Sequence, residues 1–509
     1  SCDKLHEIRW FLYGSHKLPV NSQYYKILQP KLSSGLSQMD FILASQSKTR
    51  CCILRNAALP FCNISPNIDE LNIMKSLVSE GTPHRDIPNV LAEFKAKKIS
   101  SKNIDSWVLG CDQILSLDGE VFSKPDSKAQ LSANISQMAG KTHQLITANV
   151  IYKGAKPMWR HTAVSNLTMH PMSPLEVQNF VTKSWLEVQN SSAGYCFEKT
   201  PHLFSKVKGN WFDIMGISIS QILNFLHQNN YANIATTPKI VAVLGSPISH
   251  SRSPIMHRYW LQKNNICGDY IAIDTPEKNF SNTVNVLAEV GVSGFNVTLP
   301  HKEAALNLSH SKTKRALEIG AANTLIVDSS GNILADNTDG YGFISNLEAN
   351  GGSWLPNAGP ALVIGAGGAA RAILVSLLAA GTPQIYLTNR TKSRAQNLSV
   401  ELSDKIEVID WDEKEEWLSR ISTLVNTTSL GMTGKPALTI SLKTLNKKAL
   451  VTDLVYTPVK TPLLTQAEKL GFNTVSGVGM LLYQGVPGFH QWFGLPPKVD
   501  LELVKLVSG

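Results

Sequence analysis

One segment in the second half of the chain constrains its fold more than any other, ALVIGAGGAARAILVSLLAAG at 361–381. It joins a short apolar strand to an apolar helix through the pattern G-x-G-x-x-A. Gly365 permits the tight turn, Gly367 lets the backbone approach a phosphate group, and Ala370 allows the helix to pack closely on the strand. The N-terminus of such a helix attracts negative charge. The segment therefore predicts an α/β fold of the Rossmann type that binds a dinucleotide.

The end of the next strand indicates which dinucleotide. NAD-binding folds usually place an acidic residue there, which holds the ribose hydroxyls. This chain has QIYLTNRTKSR instead, so that Asn389, Arg390 and Thr391 take the place of the acid and Arg394 follows shortly after. Guanidinium groups pair with a 2′-phosphate that a carboxylate would repel. The loop favours NADP(H); by position alone, two arginines on a solvated loop are the alternative.

The length of 509 residues predicts roughly three domains at about 150 residues each. Residues 1–40 form a leader that we cannot assign, and a compact unit begins with the apolar segment FILAS and runs over 41–231. The segment YANIATTPK at 231–239 reads as a linker. From residue 239 onward apolar strands alternate with helical stretches, which favours βαβ units and parallel sheets.

Composition and charge exclude several classes of protein. Apolar residues make up 43% and charged residues 17% of the chain, which is typical of a globular protein and not of a disordered one. The net charge of +9 comes without a long basic run, which favours anionic small molecules over nucleic acid as ligands. The seven cysteines form no CxxC pair, so we expect neither disulfides nor a zinc site, and a reducing, cytoplasmic setting. No apolar run reaches the roughly 18 residues of a membrane span, so we expect no membrane partner.

Further motifs surround the glycine loop on both sides. They are SPISHSRSP (246–254), NVTLPHKE (296–303), AANT (321–324), ADNTDGYG (335–342), NRTKSR (389–394) and GVGMLLYQG (477–485). Together with the glycine loop they resemble the shikimate dehydrogenase family along the whole of 239–509. The resemblance implies NADPH-dependent reduction of 3-dehydroshikimate to shikimate. It also implies a shikimate-binding lobe at 239–340, a Rossmann NADP-binding lobe at 341–475, and a C-terminal segment at 476–509 that returns to the substrate lobe.

The same resemblance implies roles for individual residues. Lys302 and Asp339 would form the catalytic pair. The substrate carboxylate and hydroxyls would be held by Ser251, Ser253, Thr298, Asn323 and Gln484, with Tyr456 lining the same pocket. The cofactor would be held by Gly365, Ala366, Gly367, Gly368 and Ala369 of the glycine loop, by the loop at 389–394, and by Gly477 and Met480 near the nicotinamide.

The lysine and aspartate suit this reaction on chemical grounds. Oxidation of a secondary alcohol needs a base that takes the hydroxyl proton while hydride leaves the carbon. A lysine amine can accept that proton, and a nearby carboxylate can position the amine. For a lone lysine, a solvated surface position is the ordinary alternative.

Ser251 and Ser253 favour a shikimate-specific enzyme, because relatives with broader quinate activity often carry Thr at the second position. A quinate or quinate/shikimate dehydrogenase is the alternative.

The first half carries its own series of motifs. They are LASQSKTR (43–50), ISPNIDE (64–70), LAEFKAKK (91–98), VLGCDQILSLDGEVFSKP (108–125), MAGKTHQ (138–144) and SSAGYCFE (191–198). They resemble the Maf family of nucleoside triphosphate pyrophosphatases over 41–231. The resemblance implies an α/β domain that hydrolyses a nucleoside triphosphate to a monophosphate and diphosphate with Mg²⁺ or Mn²⁺.

The residue types in these motifs fit that reaction. Glu70 and Asp112 could supply oxygen ligands to a divalent cation. Asp112, which we place at the end of the apolar strand SWVLGC, could also orient or deprotonate the attacking water. Arg50, Lys95 and Lys124 could neutralise the triphosphate.

The sequence leaves alternatives for the first unit, both in the nucleotide on which it acts and in whether it is catalytically active. The tetrapeptide GCDQ (110–113) resembles the subgroup that acts on 7-methyl-GTP. The family loop reads roughly Ser-Pro-Arg-Arg or Ser-Pro-x-Arg-Arg, whereas this chain has SKTR at 47–50, so the proline is missing and Arg50 is the one arginine that remains. A catalytically inactive binding or structural domain is therefore the alternative. Ser45 and Ser47 either bond phosphate or cap the next helix, and we interpret His143 as structural. The oligomeric state is open, with a homodimer as one option.

Overall fold

The computed structural model describes residues 40–189, 191–192, 194–231 and 237–508. Three sheets with flanking helices follow one another along this part of the chain. The predicted leader lies outside the described residues apart from Asp40, and so does the centre of the predicted linker, residues 232–236.

The first sheet is mixed and has the strand order β2-β1-β3-β5-β6-β7, with β4 paired to β3. Its strands are β1 (Phe41–Leu43), β2 (Cys62–Asn63), β3 (Trp107–Leu117), β4 (Glu120–Phe122), β5 (Thr142–Lys153), β6 (Lys156–Met169) and β7 (Phe204–Lys208). Its helices are α1 (Lys48–Asn56), α2 (Glu70–Ser79), α3 (Ile87–Ser100), α4 (Lys128–Met138), α5 (Pro174–Val188), a 3₁₀ helix (Pro201–Leu203), α6 (Trp211–Ile214) and α7 (Ile219–Gln228). β1 is parallel to β2 and β3, and the remaining pairs are antiparallel.

The central strand β3 is longer than we predicted. Asp112 was expected at its end, but the strand continues to Leu117 because antiparallel pairing with β5 extends from Val108 to Ser116. The parallel partner β1 stops earlier, at the pair Leu43–Leu109. Asp112 therefore lies in the middle of β3, just beyond the carboxyl end of β1.

Local sequence signals start the helices around this sheet and bring them close to it. Ser47 precedes α1, and its side chain accepts a hydrogen bond from the backbone N–H of Arg50. Ser173 and Glu176 form a capping box at the start of α5. Gly110 allows α3 to approach β3, because a Cβ at this position would lie 2.1 Å from the carbonyl oxygen of Ala92.

The second sheet has the order β11-β13-β12-β10-β8-β9. Its strands are β8 (Lys239–Gly245), β9 (Gly268–Asp274), β10 (Gly294–Val297), β11 (Ser311–Lys312), β12 (Thr324–Val327) and β13 (Ile333–Asp336). Its helices are α8 (Ser253–Lys263), α9 (Phe280–Glu289), α10 (Lys302–Leu308), α11 (Lys314–Ile319) and α12 (Asp339–Asn350), and a 3₁₀ turn (Glu277–Asn279) precedes α9.

This sheet is parallel around β8, as predicted, but β12 runs antiparallel to both of its neighbours. The connection from β12 to β13 is a short turn, in which Asp328 Oδ1 accepts hydrogen bonds from the N–H groups of Ser330 and Asn332. A turn this short can only join antiparallel strands, because a parallel crossover needs a dozen or more residues.

The third sheet is parallel throughout, with the order β16-β15-β14-β17-β18-β19. Its strands are β14 (Ala361–Ile364), β15 (Ile385–Thr388), β16 (Ile406–Val408), β17 (Thr423–Asn426), β18 (Leu450–Asp453) and β19 (Asn473–Val475). The helices from here to the end are α13 (Gly368–Ala379), α14 (Lys392–Leu402), a 3₁₀ turn (Leu418–Arg420), α15 (Pro462–Lys469), α16 (Gly477–Tyr483), α17 (Gly485–Phe493) and α18 (Leu501–Ser508). The strand order reverses at β14, where such sheets bind ligands.

The last helices return to the second sheet. The indole N–H of Trp492 in α17 donates to the carbonyl of Leu325 in β12 at 3.1 Å. The hydroxyl of Tyr259 in α8 donates to the carboxylate of Asp500, next to α18, at 2.9 Å.

The largest cluster of buried apolar residues runs from the first sheet into the second, smaller clusters lie within each of these two sheets, and two more lie on the two faces of the third sheet. Leu362 and Ile364 of β14 face one of these, and Ala361 and Val363 face the other, as the alternation of a strand requires. Within the part of the chain that the structure describes, none of the helices combines the length and the apolar character needed to cross a bilayer.

Candidate active sites

Three segments of the second sheet bring polar side chains to one edge. β10 and β13 run in the same direction and end at this edge, and the oppositely directed β12 begins there. Lys302 opens α10 after β10, Asp339 opens α12 after β13, and Asn323 directly precedes β12. Lys302 Nζ donates to Asp339 Oδ2 at 2.5 Å, and their side chains keep 29% and 17% of their exposure. The pair is thus sheltered but remains open to a ligand.

The side-chain amide of Asn323 is held in one orientation. Its Oδ1 accepts hydrogen bonds from the Thr324 hydroxyl at 2.9 Å and from the Thr338 N–H at 2.9 Å. Its Nδ2 therefore points away from these donors, toward Asp339 Oδ1 at 2.8 Å and Gln484 Oε1 at 3.4 Å. Four predicted site residues, Lys302, Asp339, Asn323 and Gln484, are joined in this way.

Gln484 reaches the cluster because α16 packs tightly on α12. A Cβ at Gly342 in α12 would lie 2.7 Å from the backbone N of Gln484 and from the carbonyl oxygen of Met480. A Cβ at Gly479 would lie 1.8 Å from Asn346 Oδ1. A Cβ at Gly477, at the start of α16, would lie 2.3 Å from the Leu454 carbonyl oxygen. The predicted Gly477 and Met480 thus lie on the helix that carries Gln484.

Three of the other predicted substrate residues follow strands that end at the same edge, and the fourth follows a strand of the third sheet. Ser253 is buried as the first residue of α8, after β8, and its N–H donates to Ser251 Oγ at 3.3 Å. Thr298 follows β10, and its N–H donates to the Leu244 carbonyl at 3.0 Å. Tyr456 follows β18 of the third sheet and is 43% exposed, and within the described residues no hydrogen bond joins it to Lys302 or Asp339.

The glycine loop has the geometry that a phosphate group needs. Gly365 has a φ of +114°, and a Cβ there would lie 2.5 Å from the Thr427 hydroxyl. A Cβ at Gly367 or Gly368 would meet nothing within 4 Å, and no side chain caps α13. The N-terminus of α13 is therefore open to a ligand, as in dinucleotide-binding folds.

The loop after β15 completes this dinucleotide cradle. Asn389 Oδ1 accepts a hydrogen bond from the N–H of Ala366 at 3.1 Å, which ties the two loops together. Asn389 Nδ2 donates to the Thr391 carbonyl at 2.8 Å. Arg390 and Arg394 are exposed beside the cradle, and among the described residues no ion pair engages either guanidinium. The residues present fit NADP(H), because two cations are free to meet its 2′-phosphate.

A second cluster of charges lies in the first unit. Lys95 Nζ, on α3, donates to Asp112 Oδ1 at 2.6 Å and lies 3.0 Å from Glu70 Oε1 on α2. Lys95 and Asp112 are almost fully buried, whereas the Glu70 side chain keeps 46% of its exposure. Burial raises the pKa of the Asp112 carboxyl above its ordinary value, and the charges of Lys95 and Arg50 oppose this rise. Three predicted residues of the pyrophosphatase site are thus in contact.

The carboxylates of this cluster bear on the predicted metal. The described residues contain no group of three or more His, Cys, Asp or Glu side chains that could hold an ion. Mg²⁺, however, commonly binds one or two carboxylates and takes its remaining oxygens from water and phosphate. Glu70 and Asp112 fit such a metal if it arrives with a nucleotide.

Arg50 is engaged by the protein. Its Nε donates to the Gly216 carbonyl at 2.8 Å, and its Nη1 donates to the Cys111 carbonyl at 2.9 Å and to Ser45 Oγ at 3.4 Å. It therefore ties α1 to β3 and to the segment after α6. Cys111 stands inside the motif at 108–125, but Gly216 lies 166 residues away from Arg50 along the chain and outside the motifs.

The remaining predicted residues of the first unit take separate places. Ser47 caps α1, which is one of the two roles we considered for it. Lys124 is exposed after β4, and within the described chain no ion pair joins it to Asp112 or Glu70. His143 is fully buried, with Nε2 2.7 Å from the Tyr195 hydroxyl, and burial lowers its pKa to about 4. Gln113, next to Asp112, donates to the carbonyls of Asp213 and Ile214, away from Asp112.

Sequence reasoning missed the residues that orient the dehydrogenase site. Thr324 and Thr338 hold the amide of Asn323, and both stand inside the motifs AANT and ADNTDGYG. A signal was therefore present, but only the tertiary contacts assign it to these hydroxyl and N–H groups.

Comparison with known proteins assigns the two halves. Residues 40–229 match the family model for a Maf-like protein. Residues 243–325 match the shikimate dehydrogenase substrate binding domain, and residues 357–454 match the model for shikimate / quinate 5-dehydrogenase. The shikimate dehydrogenase (NADP(+)) of Roseobacter denitrificans is 50% identical over 260 residues, which are 51% of this chain and 94% of that protein. The chain belongs to the shikimate dehydrogenase family.

The predicted order, a Maf-like unit followed by a shikimate dehydrogenase, is confirmed, as is the α/β class of both. Two solved structures resemble the dehydrogenase part. The shikimate 5-dehydrogenase of Listeria monocytogenes, in complex with shikimate and NAD, is 27% identical with a TM-score of 0.50, and covers 54% of this chain and 97% of that one. The quinate dehydrogenase of Corynebacterium glutamicum, in complex with NAD, is 26% identical with a TM-score of 0.50, and covers 53% of this chain and 98% of that one.

Proposed function

We propose that the chain joins two enzymes, an NADP-dependent shikimate dehydrogenase at 239–509 and a nucleoside triphosphate pyrophosphatase at 41–231. The meeting of Lys302, Asp339 and Asn323 from three segments at one sheet edge carries the first assignment. The substrate follows from the family, whose members include a protein named shikimate dehydrogenase (NADP(+)). NADP⁺ supplies the hydride acceptor when it is bound.

The residues of the pair divide the proton chemistry between them. In alcohol oxidation, the amine of Lys302 accepts the proton of the substrate hydroxyl while hydride leaves the carbon that bears this hydroxyl. In ketone reduction, the ammonium of Lys302 donates a proton to the developing alkoxide. Asp339 accepts a hydrogen bond from Lys302 Nζ at 2.5 Å and so fixes its position. Asn323 Nδ2 points to the same space and can donate to a substrate oxygen.

Substitution of the lysine tests the dehydrogenase. Lys302→Gln keeps a polar side chain but removes the proton acceptor, and we expect kcat for shikimate oxidation to fall roughly 10²- to 10⁴-fold. Lys314→Gln, at an exposed position of the same lobe, serves as the control and is expected to leave kcat unchanged. Steady-state formation of NADPH measures both. A Lys302→Gln enzyme with the kcat of the wild type would overturn the assignment.

The choice of substrate and cofactor has its own test. The wild type is expected to show a higher kcat/KM with shikimate than with quinate, and the reverse would favour the quinate alternative. Arg390→Ala is expected to raise KM for NADP⁺ about 10-fold or more, through the loss of a charged hydrogen bond, and to leave KM for NAD⁺ unchanged. Lys405→Ala removes another exposed cation of the same unit and is the matched control. An unchanged preference in Arg390→Ala would refute the role of the arginine.

The pyrophosphatase assignment rests on the contact between Lys95, Asp112 and Glu70 within a Maf-like fold. The two carboxylates would hold a divalent cation, which when bound neutralises phosphate charge. Asp112 would also orient the water that attacks the nucleotide, and Lys95 would position Asp112. Hydrolysis of the linkage between the α- and β-phosphates would release a nucleoside monophosphate and diphosphate. A nucleotide of the 7-methyl-GTP type is one candidate substrate.

A nucleotide panel with Mn²⁺ tests this half in the full-length protein. The panel includes 7-methyl-GTP, dTTP and UTP, and diphosphate release is the readout. Asp112→Asn is expected to abolish release, and Asp105→Asn, an exposed aspartate just before the same strand, is expected to preserve it. Retained shikimate oxidation shows that each variant is folded. Wild type that releases diphosphate from none of the nucleotides would favour the non-catalytic alternative.

A further inference from the structure

Helix α9 of the substrate lobe lies between two parts of the chain with different chemistry. On one side it contacts β7 and the 3₁₀ helix Pro201–Leu203 of the Maf-like unit. On the other side it contacts α10, which begins at Lys302. It is therefore the element through which the Maf-like unit can reach the dehydrogenase site.

The Maf-like unit holds α9 near both of its ends. Near the start, Asn282 Nδ2 donates to the carbonyl of Phe204 in β7 at 2.6 Å and lies 3.2 Å from Nε2 of His170, also in the Maf-like unit. At the end, the N–H of Trp211 donates to the carbonyl of Val290 at 2.9 Å. The first N–H of α6 and the carbonyl at the end of α9 both lack a partner within their own helices, so each satisfies the other.

The two units also share one apolar core across this contact. Phe204 and Trp211 of the Maf-like unit belong to the same buried cluster as Phe280, Val284 and Leu287 of α9. Protein interiors are close-packed and of low compressibility, so a displacement on one side is transmitted to the other.

On its other side α9 is coupled to the residue next to Lys302. The ring of Phe280 stacks on the imidazole of His301, with centroids 4.5 Å apart and planes inclined by 13°. Both side chains are almost completely buried. His301 Nε2 lies 2.8 Å from the carbonyl of Thr275, to which it donates. His301 is the N-cap residue of α10 and directly precedes Lys302, so its position sets that of Lys302.

We propose that the Maf-like unit positions the dehydrogenase base, with Asn282 as the positioning residue that anchors α9 and, through Phe280 and His301, Lys302. The proposal rests on the proposed dehydrogenase function. It predicts that the Maf-like unit supports the second activity of the chain even when no nucleotide is present. Asn282 would contribute to kcat without touching the substrate.

Kinetics of the full-length protein test the proposal. Asn282→Ala removes the bond to Phe204 and the contact with His170 Nε2. We expect kcat for shikimate oxidation to fall roughly 3- to 30-fold, because small misplacement of a catalytic group is costly. KM for NADP⁺ is expected to stay unchanged, since the third sheet has its own cores. Asn264→Ala, which also removes one bond from an asparagine amide to a backbone carbonyl in the same lobe, is the control and is expected to keep kcat.

An unchanged kcat in Asn282→Ala, or an equal loss in Asn264→Ala, would overturn the proposal. If Asn282→Ala does not fold, amide hydrogen exchange of the wild type decides. Saturating shikimate is expected to slow exchange in β7 and α6, and unchanged exchange there would overturn the proposal. Wild type without shikimate oxidation would instead refute the proposed function, so the two failures are distinguishable.

Discussion

The positively charged side chains of this chain differ in whether they are available to bind a ligand. Arg50 was expected to meet phosphate, but its guanidinium donates to two backbone carbonyls, whereas Arg390 is exposed beside the glycine loop. Lys95 is buried between two carboxylates. Removing one partner of a buried pair typically costs about 3–5 kcal/mol, so Lys95 and Asp112 support the fold as well as the site. The type of a residue suggests its chemistry, and its neighbours decide whether that chemistry is available.

The buried His143 predicts a pH dependence of stability in the Maf-like unit. Its pKa is lowered to about 4 by burial, whereas an unfolded histidine binds its proton below about pH 6.5. The unfolded state therefore binds more protons between these values, and the free energy of unfolding falls by up to about 3 kcal/mol as the pH drops from about 6.5 to 4. Above about pH 6.5 His143 is neutral in both the folded and the unfolded state, so the free energy of unfolding has its full value. We expect His143→Phe to remove this part of the slope.

Hydrogen exchange of the amides of β5, corrected for the intrinsic rate at each pH, measures that slope. Tyr195→Phe removes the partner of His143 but leaves the imidazole, so it is expected to retain the dependence. Equal slopes in the wild type and in His143→Phe would contradict the prediction.

Among the elements, α12 connects the most parts of the dehydrogenase site. It begins with Asp339, packs on α16 through Gly342, and approaches α13 through Gly340, where a Cβ would lie 2.8 Å from the Cβ of Ser376. The motif ADNTDGYG thus encodes the carboxylate that we propose for catalysis and two close helix contacts within one turn. The glycines of this motif are required by packing, since neither has a positive φ.

Substitution of Gly342 tests the role of that packing. Alanine favours a helix over glycine by about 1 kcal/mol, yet the new Cβ would collide with the backbone of Gln484 and Met480. Overpacking costs about 1–3 kcal/mol, so we expect Gly342→Ala to lower stability and to reduce kcat/KM for shikimate by displacing Gln484. Thermal unfolding and steady-state kinetics measure the two effects. Glu348→Ala, on the exposed face of the same helix, is the control. A Gly342→Ala protein that is more stable than the wild type and fully active would contradict the prediction, because it would show that α16 can move to accommodate the new Cβ.

On the scale of the whole molecule, the cores do not follow the boundary between the two activities. The Maf-like unit and the substrate lobe share one large buried cluster beside smaller clusters of their own, whereas the clusters of the third sheet reach the substrate lobe through Phe343 and Leu347 of α12. We therefore expect the described part of the chain to unfold in two steps, with the first two sheets together. Binding of NADP⁺ at the third sheet would then raise the stability of one step more than the other.

Substitution of two almost completely buried leucines distinguishes this arrangement from three independent domains. Leu226 in α7 belongs to the shared cluster and Leu464 in α15 to a cluster of the third sheet. Leu→Ala at either position is expected to cost about 2–5 kcal/mol. Leu226→Ala should speed amide exchange in β3 and also in β8 and β10, and Leu464→Ala should do so in β14 and β18. If Leu226→Ala leaves β8 and β10 protected, the shared core is not a cooperative unit.

The sequence by itself determined the two families, their order, and most of the residues that meet at the dehydrogenase site. Strands that end in short polar motifs, and a tight turn that requires glycine, are local signals. They can therefore be recognised in the sequence without knowledge of the fold. Tertiary structure alone decided the length of β3 beyond Asp112, the partners of Arg50 and the orientation of Asn323. It also decided that α9 joins the two units. These features depend on pairing and packing between segments far apart in the chain, for which no local pattern carries information.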